Sequence, residues 1–145
     1  LSLSDPGIVN GFRDKFEKIE SYGIDMVFGN DDEAQAFSGE SELDKAIDYL
    51  KQKSFISLIT TGSEGCIVVN KNNSNIVSGV NIEPLDTNGA GDMFAGSFMY
   101  AYLQNIPLES CAKFSNYAAS KIVETFGPRL SLEGYKEVKN NIQKY

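Results

Sequence analysis

The sequence predicts a layered α/β domain with a mostly parallel sheet. Two observations carry that prediction. Ile24-Asp25-Met26-Val27-Phe28 and Phe55-Ile56-Ser57-Leu58-Ile59 are short, largely apolar runs, as expected of strands buried on both faces. Around them lie segments whose apolar residues recur every three or four positions, the period of a helix. In such folds ligands sit beyond the C-terminal ends of the strands.

Taken in order, Leu1-Ser2-Leu3-Ser4 reads as the end of a strand, and its start without Met has the look of a cut within a longer chain. Asp5-Pro6-Gly7 turns, and Ile8, Phe12, Phe16 and Ile19 predict one helix with a single apolar stripe, broken at Tyr22-Gly23. The first strand ends at Gly29-Asn30. Asp31 and Asp32 then begin a short helix through Phe37, and residues 41–52 form another with Leu43, Ile47 and Leu50 on one face. After the second strand, Thr60-Thr61-Gly62-Ser63-Glu64-Gly65 turns the chain. Cys66-Ile67-Val68-Val69 and Ile76-Val77 predict an antiparallel hairpin around a polar tip at residues 71–75, so the sheet is mixed. The run Met93-Phe94-Ala95-Gly96-Ser97-Phe98-Met99-Tyr100 is a buried helix. Residues 108–126 form a helix with a small-residue face of Ala112, Ser115, Ala119 and Ile122, stopped by Gly127-Pro128. Ser131 caps a last helix over residues 132–143, which uses Tyr135, Val138 and Ile142.

The chain has 145 residues, 41% of them hydrophobic, enough for one core and hence one domain. A net charge of -7 argues against a nucleic-acid backbone or an anionic membrane surface as partner. Any phosphate site is therefore built locally, from amides and a metal. Cys66 and Cys111 are far apart, without metal-ligand spacing or a His to complement them, and are expected to be reduced thiols. No stretch approaches the about 18 apolar residues of a membrane span, and no signal peptide is evident. A soluble, cytoplasmic protein is the expectation.

Chemistry concentrates in Asp86-Thr87-Asn88-Gly89-Ala90-Gly91-Asp92. Small residues at 89–91 let backbone N–H groups approach a ligand, and the start of the following helix supplies unpaired amides and partial positive charge. A phosphate fits there. Asp92, a carboxylate beside a polyanion, needs another task, such as taking the proton from an attacking hydroxyl. A plain capped turn, with Asp92 merely complementing the helix dipole, explains the same letters. Two other phosphate motifs are excluded by spacing: a dinucleotide fingerprint needs Gly where Phe94 stands, and no G-x-x-x-x-G-K-[ST] occurs.

The run Asp86 to Asp92 followed by Met93-Phe94-Ala95-Gly96 resembles the second signature of the PfkB (ribokinase-like) family of carbohydrate and nucleoside kinases. The resemblance implies Asp92 as catalytic base and the amides of Gly89, Ala90 and Gly91 as an anion hole, with a monovalent cation near the loop as a further implied ligand. Asn30-Asp31-Asp32-Glu33 resembles the family's N-x-x-E motif, which implies Asn30 and Glu33 as organisers of Mg2+ near the phosphates. By spacing alone the better reading of Asn30 is an N-cap with acids in the first turn, and only the resemblance favours the metal role. Thr60-Thr61-Gly62-Ser63-Glu64-Gly65 resembles the T-x-G-x-x-G loop that lines the nucleotide, implying Thr60, Gly62 and Gly65 as ATP-binding; a hairpin turn needs the same glycines. Asn116 stands where relatives place a residue near the adenine, and a solvent-facing Asn is the alternative.

The resemblance runs from Asp5 to Gly127-Pro128-Arg129, so residues 1–145 are expected to be the C-terminal ATP-binding part of a ribokinase-like α/β/α domain, with the N-terminal half and lid outside this sequence. The implied function is transfer of the γ-phosphoryl group of MgATP to a sugar or nucleoside hydroxyl. Ser4-Asp5-Pro6, Phe28-Gly29-Asn30 and Gly127-Pro128-Arg129 lean toward adenosine kinases. The full-length protein would then pair as a homodimer through the lid, without nucleic acid or membrane partners. A non-catalytic nucleotide-binding module is the alternative for the isolated chain, whereas Ser-His and Cys-His hydrolases are ruled out by the absence of His.

Overall fold

Strand β1 (Met26–Asn30) and strand β2 (Ile56–Thr60) pair in parallel, with Met26 beside Ile56 and Asn30 beside Thr60. Their apolar residues are needed because both faces are covered: Val27, Leu58 and Ile59 are fully buried. The computed structural model describes all of residues 1–145, and the chain divides into two units. One comprises Leu1–Thr61 with Ile67–Ile76, the other Gly62–Cys66 with Val77–Tyr145. Strands β3 (Gly65–Asn70) and β4 (Asn73–Ser78) complete a four-stranded sheet in the order β1-β2-β3-β4. Only Lys71 and Asn72 join β3 to β4, and a two-residue link connects antiparallel neighbours. Asn72 supplies the left-handed backbone, at φ 65°, that such a turn needs. The polar tip expected over residues 71–75 is thus shorter. Asn73-Ser74-Asn75 continue the pairing, because at an exposed strand polar side chains can face water.

In the first unit, Leu1-Ser2-Leu3 does lie along β1, through Leu3 N–H to the Phe28 carbonyl (2.9 Å) and Phe28 N–H to the Leu1 carbonyl (2.8 Å). The expected first helix is two, α1 (Pro6–Gly11) and α2 (Arg13–Ser21), hinged at Phe12. The break resets the helical phase, so Ile8, Phe12 and Ile19 do not share a buried stripe. Ile8 is 47% and Phe12 56% exposed, while Val9 and Phe16 enter the core. Helices α3 (Asp31–Ser38) and α4 (Leu43–Leu50) follow β1. Helix α3 ends at Gly39, at φ 81°, and the Arg13 guanidinium donates to its Ala36 and Phe37 carbonyls, acceptors a helix cannot satisfy itself. Phe37 is the centre of this core. Its ring makes edge contacts with Phe16, Tyr49 and Phe55, at 6.2 to 6.4 Å between centroids.

In the second unit, α5 (Ala90–Tyr102) packs on α6 (Leu108–Val123), and α7 (Leu132–Asn141) packs on α6. Phe94, Phe98, Ala101, Ala112, Phe114, Ala118 and Ile122 are buried, the alanines allowing close approach. Helix α6 stops at Val123, three residues before the expected end. Its Val123 carbonyl accepts from the amides of Leu85 (2.7 Å) and Asp86 (3.2 Å), which tie the motif loop to the helix end. Ser131 caps α7 as expected, accepting from Gly134 N–H at 3.1 Å. No helix is long and apolar enough to cross a membrane.

The split of the first helix separates two residues that the apolar period alone treats alike. Phe37→Ala should cost about 3–5 kcal/mol of stability by leaving a cavity among three aromatic rings, whereas Ile8→Ala should change it by less than about 0.5 kcal/mol. Urea unfolding of both variants checks this, and comparable losses would place Ile8 in the core after all.

Candidate active site

The register of β1 and β2 sets Asn30 beside Thr60 at the C-terminal ends of the two strands, so two of the sequence-predicted residues meet. Thr60 Oγ1 donates to the Gly29 carbonyl at 3.4 Å. Asn30 is the N-cap of α3 within a reciprocal capping box: its Oδ1 accepts from Glu33 N–H at 2.8 Å, and Glu33 Oε2 accepts from Asn30 N–H at 3.1 Å. Glu33 is buried, at 8% exposure. Burial pushes its carboxyl pKa up against the pull of the Asn30 amide, and Asp5, Asp31 and Asp32 push in the same direction. No group of three or more His, Cys, Asp or Glu side chains could hold a metal ion. What Asn30 and Glu33 offer is one buried carboxylate among acids, suited to a hydrated hard cation whose other ligands are water and phosphate.

Gly62, Gly65, Asp86 to Asp92 and Asn116 belong to the second unit. Gly62 opens a single 3-10 turn, Gly62–Glu64, at φ 61° with open space where a Cβ would lie. Gly65 is different. Its φ is 113°, and a Cβ there would overlap the Val77 carbonyl and the Gly79 amide. The hairpin therefore requires Gly65 whatever else the loop does. Asn116 is buried rather than solvent-facing, at 7% exposure, and its amide nitrogen donates to the Val77 and Ser78 carbonyls, both at 3.0 Å. Those bonds hold the end of β4. Cys66 and Cys111 are free, buried thiols, as expected. Burial pushes Cys66 up to about 12, against a hydrogen bond from Asn116, and Cys111 up to about 11, so both are inert at neutral pH.

The motif loop enters α5 through Gly89, at φ 82°, with no side-chain cap. A Cβ at Gly89 would meet the Pro128 backbone at 2.8 Å. Ala90 N–H is engaged by the Thr87 carbonyl at 3.3 Å, and the first helical bond runs from Met93 N–H to the Gly89 carbonyl at 2.9 Å. The amides of Gly91 and Asp92 fall between these, in the first turn, where a helix has no acceptor for them. Nothing lies within 4 Å of the Cβ position of Gly91. Asp92 is exposed and lines a cavity of about 520 Å³ together with Gly96, Tyr100, Pro128, Arg129 and Lys139.

The sequence pattern missed what fastens this loop. Asp86 Oδ1 accepts from Asn88 N–H at 3.0 Å and its Oδ2 from Gly127 N–H at 2.9 Å, and these two amides hold the carboxyl below the usual carboxylate range. In the sequence, Gly127-Pro128 reads as a helix stop. The signal was an Asp at the head of a glycine loop with no evident local task.

The two glycines should respond oppositely to a methyl group. Gly91→Ala should leave stability unchanged or raise it by up to about 1 kcal/mol, since it fills open space in a helix. Gly65→Ala should lower it by at least about 3 kcal/mol, through a strained backbone and overlap with β4. Thermal unfolding reads both, and equal effects would contradict the geometry.

The model of the pfkB family carbohydrate kinases matches residues 1–134. Adenosine kinase 2 of Arabidopsis thaliana is 32% identical over 148 aligned residues, covering 88% of this chain and 41% of its own length. A probable sugar kinase from Rhizobium etli CFN 42 superposes with a TM-score of 0.88 at 30% identity, over 96% of this chain and 43% of that one. Adenosine kinase from Sinorhizobium meliloti matches with a TM-score of 0.88, 30% identity and the same coverage. The chain thus spans about two fifths of the length of these relatives. The match of sequence over 134 residues, the ribokinase-like α/β fold and the loop that opens α5 agree, and the chain belongs to the pfkB family of carbohydrate kinases.

Proposed function

We propose that this chain carries the nucleotide-binding part of a kinase that transfers the γ-phosphoryl group of MgATP to a hydroxyl of a sugar or nucleoside. One observation carries the proposal most: the first-turn amides of Gly91 and Asp92 stand open at the start of a 13-residue helix, beside a glycine that the packing of the chain does not require. A cradle of that kind suits phosphate oxygens. In the proposed step the acceptor hydroxyl oxygen attacks the γ-phosphorus, its proton passes to the Asp92 carboxylate, and the bond to ADP breaks. Gly89 and Ala90 shape the anion hole, and Gly91 and Asp92 supply its N–H groups.

Thr60, Gly62 and Gly65 are the proposed nucleotide-loop residues, with Gly65 doing so through the hairpin it permits. Asn116 is proposed to act near the adenine by fixing the end of β4, since its amide protons are already engaged. Glu33 and Asn30 are proposed to hold hydrated Mg2+, an ion that would supply charge neutralisation. Among the relatives both sugar and nucleoside kinases occur, and adenosine as acceptor is the narrower form of the proposal.

ATP titrated into the 145-residue chain by calorimetry should bind saturably, and more tightly with Mg2+. In the full-length protein Asp92→Asn should lower kcat by about 10²- to 10⁴-fold while ATP affinity stays within threefold of wild type. Near-normal turnover would remove Asp92 as the base. Glu33→Gln should retain the capping box, because the amide oxygen still accepts from Asn30, yet shift the Mg2+ concentration for half-maximal activity upward. An unchanged Mg2+ titration would refute its metal role.

A further inference from the structure

The cavity beside Asp92 carries charge of the opposite sign. Arg129 and Lys139 line it along with the carboxylate. Lys139 is drawn to one side, its ammonium lying over the Tyr100 ring at 5.9 Å from the centroid. Arg129 makes no ion pair with any carboxylate of the chain. Its backbone, by contrast, is tightly placed. The preceding Gly127 donates to Asp86 at 2.9 Å, and Pro128 lies against Gly89 so closely that a Cβ there would come within 2.8 Å. The turn that carries Arg129 is thus fastened to the turn that opens α5, although Asp86 and Gly127 are 41 residues apart.

A phosphoryl group in transfer spreads negative charge over three oxygens, and two backbone amides neutralise only part of it. The loop's own side chains make matters worse, since Asp86 and Asp92 are both acids. A planar guanidinium meets this requirement better than an ammonium, because its parallel N–H groups bind two oxygens at once. We infer that Arg129 contacts the phosphoryl group during transfer, and that Asp86 is a positioning residue that holds Arg129 there through Gly127. The inference rests on the kinase assignment made above.

The test uses the full-length protein and steady-state turnover with ATP and a sugar or nucleoside acceptor. Arg129→Gln should lower kcat by about 10²-fold with the KM for ATP changed less than threefold, and Arg129→Lys should recover part of the loss. Turnover of Arg129→Ala should rise on adding millimolar guanidinium. That rescue is specific to a missing guanidinium. Asp86→Asn places an NH2 against an N–H donor and should also lower kcat. In the Asp86→Asn background, Arg129→Gln should then have little further effect, because the arginine is already misplaced. If Asp86→Asn does not fold, Asp86→Ser, which keeps one acceptor, takes its place in the cycle. Turnover of Arg129→Gln within threefold of wild type, or no rescue by guanidinium, would overturn the role of Arg129; strictly multiplicative effects of the two substitutions would overturn that of Asp86. Failure of the kinase assignment looks different: the wild type phosphorylates no acceptor, or Asp92→Asn is as active as wild type.

Discussion

The Asp92 end of the molecule depends on one backbone constraint, the left-handed turn at Gly89. At φ 82° the chain enters α5 without a side-chain cap. Helices α1, α3 and α7 solve the same problem differently. The side chains of Asp5, Asn30 and Ser131 fold over their first turns and accept from the amides there. A glycine cap has no side chain to offer, and with Ala90 N–H taken by the Thr87 carbonyl, the amides of Gly91 and Asp92 are left without a partner in the chain. Pro128 enforces the arrangement, because it occupies the place where any larger residue at 89 would need room. The left-handed turn and the unpartnered amides of Gly91 and Asp92 are one structural fact.

Four glycines of the two motif loops are chemically identical and physically unlike. Gly65 is demanded by the approach of β4, Gly89 by Pro128 and a positive φ, and Gly62 by its φ alone. Gly91 is demanded by nothing in the chain. Glycine in a helix is about 0.5–1 kcal/mol worse than alanine, so Gly91, like the equally open Gly11 and Gly96, costs stability and leaves room for a requirement other than packing. Close approach of a ligand to the backbone is such a requirement.

What the sequence made legible follows from the range of the forces involved. The strands around Val27 and Leu58 announce themselves as local apolar runs, and Ser131 announces a helix start within three residues of the amide it binds. The hinge at Phe12 is less visible, because Ile8, Phe12, Phe16 and Ile19 keep helical spacing across a break that only the dihedral angles reveal. Long-range bonds were out of reach. Asn116 to Val77 and Asp86 to Gly127 join residues about forty positions apart, and nothing in either neighbourhood hints at the partner. At Asn30 the two sequence explanations, cap and metal organiser, are compatible: the capping box uses Asn30 Oδ1 and Glu33 Oε2, which holds Glu33 in place.

That placement has a physical consequence. A cap can be made without burying an acid, as Ser131 and Asp5 do, yet α3 sinks Glu33 among Asp5, Asp31 and Asp32. Because burial and these neighbours raise its pKa, the charged form is disfavoured in the folded chain, and at neutral pH the carboxylate weakens the fold relative to an uncharged acceptor of the same shape. Asn30 N–H alone would be served as well by a glutamine. A cation near the head of α3 reverses the sign of the neighbouring interactions, since acids that repel Glu33 attract the ion. The sequence thus keeps a group that folding disfavours at the end of β1, beside Thr60, where α/β folds place their ligands.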